Sequence, residues 1–230
     1  MTTQDERSIA LIGKENIERL KKSTVTVLGL GGVGSYAAEA LARSGVGRLI
    51  LVDFSVIIPS NINRQIYALH STVGQAKTDL AKKRIADINP ACEVMVFEEK
   101  ITKENAGKIL RQTDGVIDAI DDIAAKVAVA KYCYEQKIML VSSMGMGNKV
   151  DPQKLHVTDI YKTKICPLAK KMRYELKKER VPKLKVVFSE ELPLNRNVPP
   201  SSMIFVPATA GLLLAKEIIF YLLSEINQNF

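Results

Sequence analysis

Two rhythms of apolar residues alternate along the first two thirds of this chain. Short β-branched runs such as Thr24-Val-Thr-Val-Leu28 read as strands, and stretches with apolar residues three and four apart read as helices. The charged opening, residues 6–20, carries Ile9, Ile12, Ile17 and Leu20 and predicts one helix. Strands are predicted at 24–28, 48–52, 92–97, 115–118 and 138–142, and helices at 35–43, 75–88, 106–110 and 124–136. Asn89-Pro90 stops the 75–88 helix, because the residue before a proline disfavours helical angles. Strands alternating with helices predict an α/β fold, a doubly wound, mostly parallel sheet with helices on both faces. Beyond Gly147 the rhythm changes. Short strands at 155–158 and 184–188 flank a basic helix, a Pro-rich stretch covers 192–200, and a last helix begins near Ala208. This half is expected to extend the same sheet with antiparallel strands.

Composition narrows the class. With 230 residues, 47% hydrophobic and 25% charged, the chain has the make-up of a globular protein and not of a disordered one. Cys92, Cys133 and Cys166 are odd in number and form no CxxC pair, which counts against a disulfide framework and a thiolate zinc knuckle. The opening MTTQDERS has no apolar signal region. The apolar run at 208–223 is broken by Lys216 and Glu217, as in a core or interface helix. The expectation is a cytoplasmic protein with no membrane partner.

The net charge of +8 is concentrated. Between Tyr161 and Lys185 stand ten basic residues, among them Lys162, Lys164, Lys170, Lys171, Arg173, Lys177 and Lys178, opposed by Glu175 and Glu179. That segment holds the whole excess. Such a patch attracts a phosphate backbone or an acidic protein; a solvated lysine-rich helix face is the plainer alternative.

The candidate chemistry begins at Gly29-Leu-Gly-Gly-Val-Gly34, between a predicted strand and a predicted helix. Gly29, Gly31 and Gly34 fit G-x-G-x-x-G, with Gly32 as a fourth glycine, and so predict a phosphate cradle of the Rossmann type at a helix N-terminus. Asp53, at the end of the next strand, suits a ribose hydroxyl pair. The fingerprint alone does not separate NAD from ATP. Pro59-Ser-Asn-Ile-Asn-Arg-Gln65 followed by Lys77 makes the choice, since a triphosphate needs more cationic charge than a dinucleotide pyrophosphate. Asp118-Ala-Ile-Asp121-Asp122 ends another strand and offers carboxylates for Mg²⁺, with Asp122 free to cap the next helix. An NAD oxidoreductase is disfavoured: His70 and His156 are the chain's two histidines, and neither has an evident hydride-relay partner.

This set of motifs, with Gly74-Gln-Ala-Lys77 and Ile88-Asn-Pro90, resembles the adenylating enzymes related to ubiquitin-activating enzyme and to the bacterial ThiF and MoeB proteins. The resemblance implies one ThiF-type adenylating domain over residues 1–230, with a nucleotide-binding half at 1–150 and a substrate-binding and dimerisation half at 151–230. It implies ATP and Mg²⁺ as cofactors and adenylation of a carboxylate. Arg64, Lys77 and Asp121 would be the catalytic set. Asp53 would hold the ribose, Asn61, Arg64 and Lys77 the phosphates, and Asp121 the metal, with Asn63, Gln65 and Asp122 in the same nucleotide site. It also implies a homodimer in which Arg7 reaches the partner's site; an exposed helix arginine is the alternative.

The second half resembles one branch of that family, the enzymes that dehydrate threonylcarbamoyladenosine in tRNA. The resemblance runs through Gly147 to Pro152, Val157-Thr-Asp159, Pro167-Leu-Ala169, Val187-Phe-Ser-Glu190 and Phe205 to Gly211. It implies ATP-dependent cyclisation of the modified adenosine beside the anticodon, with tRNA as substrate. The competing branch adenylates the C-terminal Gly-Gly of a ubiquitin-like sulfur carrier; the absent CxxC pairs count against it. Ring closure within the substrate needs no enzyme thiol, so Cys166 is a weak candidate beside its reading as a packed apolar residue. A sulfur-transfer protein is a further partner open to this family. The Ser142–Gly147 stretch reads equally as a substrate entrance and as a plain turn.

Overall fold

A computed structural model of the protein describes residues 4–195 and 200–223, so part of the Pro-rich stretch lies outside the described residues. The elements are α1 (Glu6–Ile12), α2 (Lys14–Lys22), β1 (Thr24–Leu28), α3 (Gly34–Arg43), β2 (Arg48–Val52), α4 (Lys77–Ile88), β3 (Glu93–Phe97), α5 (Lys103–Leu110), β4 (Gly115–Asp118), α6 (Ile123–Gln136), β5 (Met139–Ser143), β6 (Leu155–Asp159), α7 (Pro167–Lys178), β7 (Lys185–Ser189) and α8 (Phe205–Leu222). The single helix expected over 6–20 is two helices. Gly13, at φ +85°, takes a backbone conformation costly for other residues and breaks them. The last helix starts at Phe205, one turn before Ala208.

One seven-stranded sheet runs β3-β2-β1-β4-β5-β7-β6. The pairs from β3 to β7 are parallel and only β6–β7 is antiparallel, so the second half extends the sheet as expected, with β7 still parallel to β5. Strand side chains alternate between two cores. Val25, Val27, Leu49, Leu51 and Ile117 pack on one face with Ala37, Leu41 and Leu214. Ile50, Val116, Leu140 and Val186 pack on the other with Ile109, Val129 and Met172. Strand order reverses between β1 and β4, which opens a crevice at their carboxyl ends, the position where ligands bind in such sheets.

α8 lies across α3. A Cβ on Gly211 would come within 2.3 Å of the Val33 carbonyl oxygen, so glycine is what lets α8 press on the start of α3. α8 is also the described helix long and apolar enough to cross a membrane, with mean hydropathy 1.6. Val206, Ala210, Leu214 and Ile218 on its inner face are buried in the core, while Phe205, Leu212, Phe220 and Tyr221 on its outer face are exposed.

Candidate active site

The crevice holds a cavity of about 1650 Å³ lined by Gly29, Gly31, Gly32, Asp53, Asn61, Arg64, Gln65, Lys77, Asp121 and Asp122, with Phe54, Lys100 and the first residues of α6. Ten residues singled out by sequence spacing thus share one wall, although they come from five separate segments of the chain.

The glycine loop is shaped by two close approaches. Gly29 has φ +83°, and a Cβ there would sit 2.8 Å from the Ala119 carbonyl oxygen. A Cβ on Gly34 would meet the Gly29 carbonyl oxygen at 1.7 Å, so the third glycine brings α3 against the loop rather than touching ligand. Gly34 is accordingly absent from the lining, while Gly29, Gly31 and Gly32, just before the N-terminus of α3, where an anion is favoured, are part of it.

Asp53 fastens this loop. One carboxylate oxygen accepts the Leu30 N–H at 2.7 Å and the other the Ser55 N–H at 2.8 Å. Lys77, the first residue of α4 and 7% exposed, places its Nζ 3.9 Å from Asp53, an ion pair too long for a hydrogen bond. Lys77 also lines the cavity.

Arg64 is aimed by its neighbours. Its Nη1 donates to the Ser60 carbonyl at 2.7 Å and to Asn63 Oδ1 at 2.9 Å. Asn63 Nδ2 in turn donates to the Ser202 carbonyl at 2.8 Å, so Asn63 stands behind Arg64 and tethers it to the segment leading into α8. Asn61 is buried, and its Oδ1 accepts the Ile58 N–H. Gln65 is also buried, and its Oε1 has no hydrogen-bond partner. An orphaned buried acceptor on a cavity wall fits a ligand bearing hydroxyl or amino donors, as a nucleotide does.

Asp121 and Asp122 divide their work. Asp122 caps α6, its Oδ1 accepting the Ala125 N–H at 2.9 Å. Asp121 is exposed on the cavity wall and makes no hydrogen bond or ion pair with a described residue. No group of three or more His, Cys, Asp or Glu side chains that could hold a metal occurs among the described residues. A lone free carboxylate suits a hard cation whose other ligands are phosphate oxygens and water.

Asp118 belongs elsewhere. It is fully buried, 2.8 Å from Lys126 Nζ, and accepts the Ser142 hydroxyl at 2.6 Å. Ser142 and Ser143 end β5 and are buried, as are Met144 and Met146 beyond it, while Gly145 and Gly147 are half-buried. Lys126 does not stand out in the sequence: a lysine near the start of a predicted helix reads as solvated, and the one signal is an acid on an apolar strand that needs a counter-ion.

The basic residues do not enter the cavity. Lys162, Lys164, Lys170, Lys171, Lys177 and Lys178 are exposed on and before α7. Arg173 is half-buried and its Nη1 donates to the carbonyl and hydroxyl of Thr163, so this guanidinium pins the turn before α7. Lys178 pairs with Glu175 at 3.0 Å and lies 4.1 Å from the Tyr174 ring centre. Arg7 is exposed on α1 and is not part of its own chain's cavity lining. All three cysteines are buried; burial pushes the Cys92 and Cys133 thiols up to about 11 and about 12. Cys166 packs in the core with Met172 and Met144 and behaves as an apolar residue.

Residues 5–230 match the ThiF family. The chain belongs to that family. A tRNA threonylcarbamoyladenosine dehydratase of Bacillus subtilis is 46% identical over 247 aligned residues, covering 99% of this chain and 97% of that protein. The crystal structure of E. coli tRNA N6-threonylcarbamoyladenosine dehydratase, TcdA, in complex with ATP superposes with a TM-score of 0.91 at 33% identity, covering 100% of each chain. A probable molybdopterin-synthase adenylyltransferase of Porphyra purpurea is 40% identical over 121 residues, which is 53% of this chain and 32% of that protein. The resemblance to ThiF-type enzymes and to their tRNA dehydratase branch is borne out, as is the Rossmann-like fold. The similarity to the adenylyltransferase named for molybdopterin synthase is confined to about half of this ThiF-family chain.

Proposed function

We propose that this ThiF-family chain is an ATP-dependent dehydratase of threonylcarbamoyladenosine in tRNA. The reading rests on one observation above the others: Arg64, Lys77 and Asp121 converge on a glycine-loop crevice, in a chain similar along its whole length to enzymes named for that reaction. A threonine carboxylate oxygen attacks the α-phosphorus of ATP and pyrophosphate leaves. A nucleophile of the same side chain then attacks the activated carbonyl carbon, closes a ring, gives up its proton and expels AMP. One carboxylate oxygen departs with AMP, so the base loses the elements of water.

The chain's own residues supply position and charge. Asp53 holds the ribose, Asn61 stands with Arg64 and Lys77 at the phosphates, and Gln65 lies in the same nucleotide site. Arg64 and Lys77 face the phosphates and offset charge on the departing pyrophosphate, where cations act most strongly. Asp121 would hold Mg²⁺, which, when bound, supplies further positive charge to the triphosphate. The attack is intramolecular, so proximity replaces an enzyme nucleophile, in keeping with three buried cysteines.

The exposed lysines of residues 162–178 form the tRNA-facing surface, and the protein works in the cytoplasm with its substrate. The exposed outer face of α8 supports a homodimer, with the 151–230 half carrying both substrate binding and dimerisation. Arg7 would then serve the partner's site. A sulfur-transfer protein is retained as a further partner.

The test is to incubate the protein with ATP, Mg²⁺ and threonylcarbamoyl-modified tRNA, digest, and weigh the nucleosides. ATP-dependent loss of the mass of one water, abolished by Asp121→Ala, is expected. No loss, with pyrophosphate exchange appearing only when a Gly-Gly-ended carrier protein is added, would move the chain to the sulfur-carrier branch.

A further inference from the structure

Lys126 is a buried lysine whose three ammonium protons are all spent on one structural task. Its Nζ meets Asp118 Oδ2 at 2.8 Å, the Ile120 carbonyl at 3.1 Å and the Ser143 carbonyl at 2.9 Å. An ammonium has three donors, so none is left over. Asp118 is equally committed: Oδ2 also accepts the Ser142 hydroxyl, and Oδ1 accepts the Ile120 N–H at 3.2 Å.

These bonds converge on one residue, Ile120, and hold the two peptide planes that flank it. The N–H of Ile120 is held by Asp118 and its carbonyl by Lys126. The next residue is Asp121, whose backbone nitrogen shares a peptide plane with that carbonyl. On the other side Asp122 is fixed as the cap of α6, and its carbonyl accepts the Lys126 N–H at 3.0 Å. Asp121 therefore sits between two clamped residues, with only its side chain left to choose a direction.

The arrangement is costly for stability alone. Lys126 lies in the first turn of α6, where a cation opposes the helix dipole. Burying an ion pair costs desolvation that an apolar pair of similar volume avoids. What the pair secures is the path of the chain from β4 into α6.

We infer that Lys126 is a positioning residue for the metal-binding carboxylate: it fixes the Ile120–Asp121 peptide so that Asp121 is already oriented toward the metal–triphosphate when they arrive. The inference rests on the proposed role of Asp121 in holding Mg²⁺.

The experiment is binding of Mn²⁺ to the full chain in the presence of ATP, with free Mn²⁺ read by electron paramagnetic resonance. Metal-free ATP affinity is measured alongside. In Lys126→Met the expected result is at least tenfold weaker Mn²⁺ binding, with metal-free ATP affinity within twofold of the parent. Unchanged Mn²⁺ binding in the folded variant overturns the inference. Should Lys126→Met fail to fold, the double variant Lys126→Met/Asp118→Asn removes the uncompensated charge. Tenfold weaker Mn²⁺ binding there supports the inference and parental binding overturns it. Failure of both variants to fold assigns the pair to the fold alone and overturns it too. Asp121→Ala separates the two readings: if it binds Mn²⁺ as the parent does, the proposed metal site fails, whatever Lys126 does.

Discussion

Glu39 on α3 and Arg84 on α4 are joined at 2.6 Å between Oε2 and Nε, and Arg43 reaches the other carboxylate oxygen at 2.7 Å. One nearly buried carboxylate thus ties two neighbouring helices on the same face of the sheet. Burial alone would push its pKa up, but hydrogen bonds from Arg84 and then Arg43 outweigh it and hold the carboxyl below its usual value. A depressed folded-state value means stability that is fully present above the unfolded value of about 4.3 and is lost as pH falls through the folded value. Glu39→Gln is expected to cost about 1 kcal/mol at pH 7, a figure discounted for the exposure of both guanidiniums. In urea titrations the gap to the parent should be flat from pH 8 to 5 and close below the carboxylate range. A gap that widens in acid would contradict this.

Gly34→Ala tests the packing of the phosphate loop. The added methyl would lie 1.7 Å from the Gly29 carbonyl oxygen, so α3 or the loop must move. The expected result is loss of ATP affinity by more than tenfold, with a stability cost of about 1–3 kcal/mol from overpacking. Gly74→Ala is the control for space, since nothing lies within 4 Å of that Cβ position, although its φ of +86° makes it strained. It should cost stability with little effect on ATP affinity.

Arg64→Ala probes charge stabilisation. Its guanidinium is braced by Ser60 and Asn63, while the loop that carries it is closed by the Arg64 and Gln65 N–H groups donating to the Asn61 carbonyl, bonds that removal of the side chain leaves in place. The rate of water loss from modified tRNA at saturating ATP should fall about 10²- to 10³-fold, the range for removing one preorganised charge donor. Asn63→Ala should lower the same rate less, because Arg64 keeps Ser60. Equal losses would mean that Asn63 does more than brace Arg64.

The α7 surface gives a salt-dependence prediction. Lys170 and Lys171 are exposed, whereas Arg173 is engaged with Thr163. Lys170→Ala/Lys171→Ala should weaken tRNA binding and lower the slope of log affinity against log salt by about 0.7–0.9 for each phosphate that the variant no longer neutralises. Arg173→Ala should lower the melting temperature with little change in that slope. The reverse pattern would place the tRNA elsewhere.

Much of this is legible in the sequence, for physical reasons. The strands are short β-branched runs whose alternation between two cores follows from the pleat, and β1, β2 and β4 fall where the pattern puts them. The glycine loop, Asp53, Arg64, Lys77 and Asp121 are visible because each must be a particular residue type at a strand end or helix start. Three things are not. Gly13 splits the first helix, because a glycine between apolar Ile12 and charged Lys14 leaves the spacing of apolar residues unbroken, and its positive φ is not written in that spacing. Arg173 counts as surface charge in a sum over residues 161–185, yet its fork closes on Thr163, a pairing across a turn that composition does not encode. Lys126 is silent for the same reason: its partners, Asp118 and Ser143, lie on two strands that become neighbours only when β4 and β5 pair.

The close approach of Gly211 to Val33 has a thermodynamic side. α8 carries an exposed apolar outer face, and through that glycine its inner face rests on the carbonyl at the mouth of the phosphate loop. Pro207, one turn earlier, lies where a Cβ on Gly32 would be 3.3 Å away. A single helix thus carries an exposed apolar face and touches the glycine loop. If covering the outer face shifts this helix and so changes ATP affinity by some factor, reciprocity requires ATP to change the affinity of that face by the same factor.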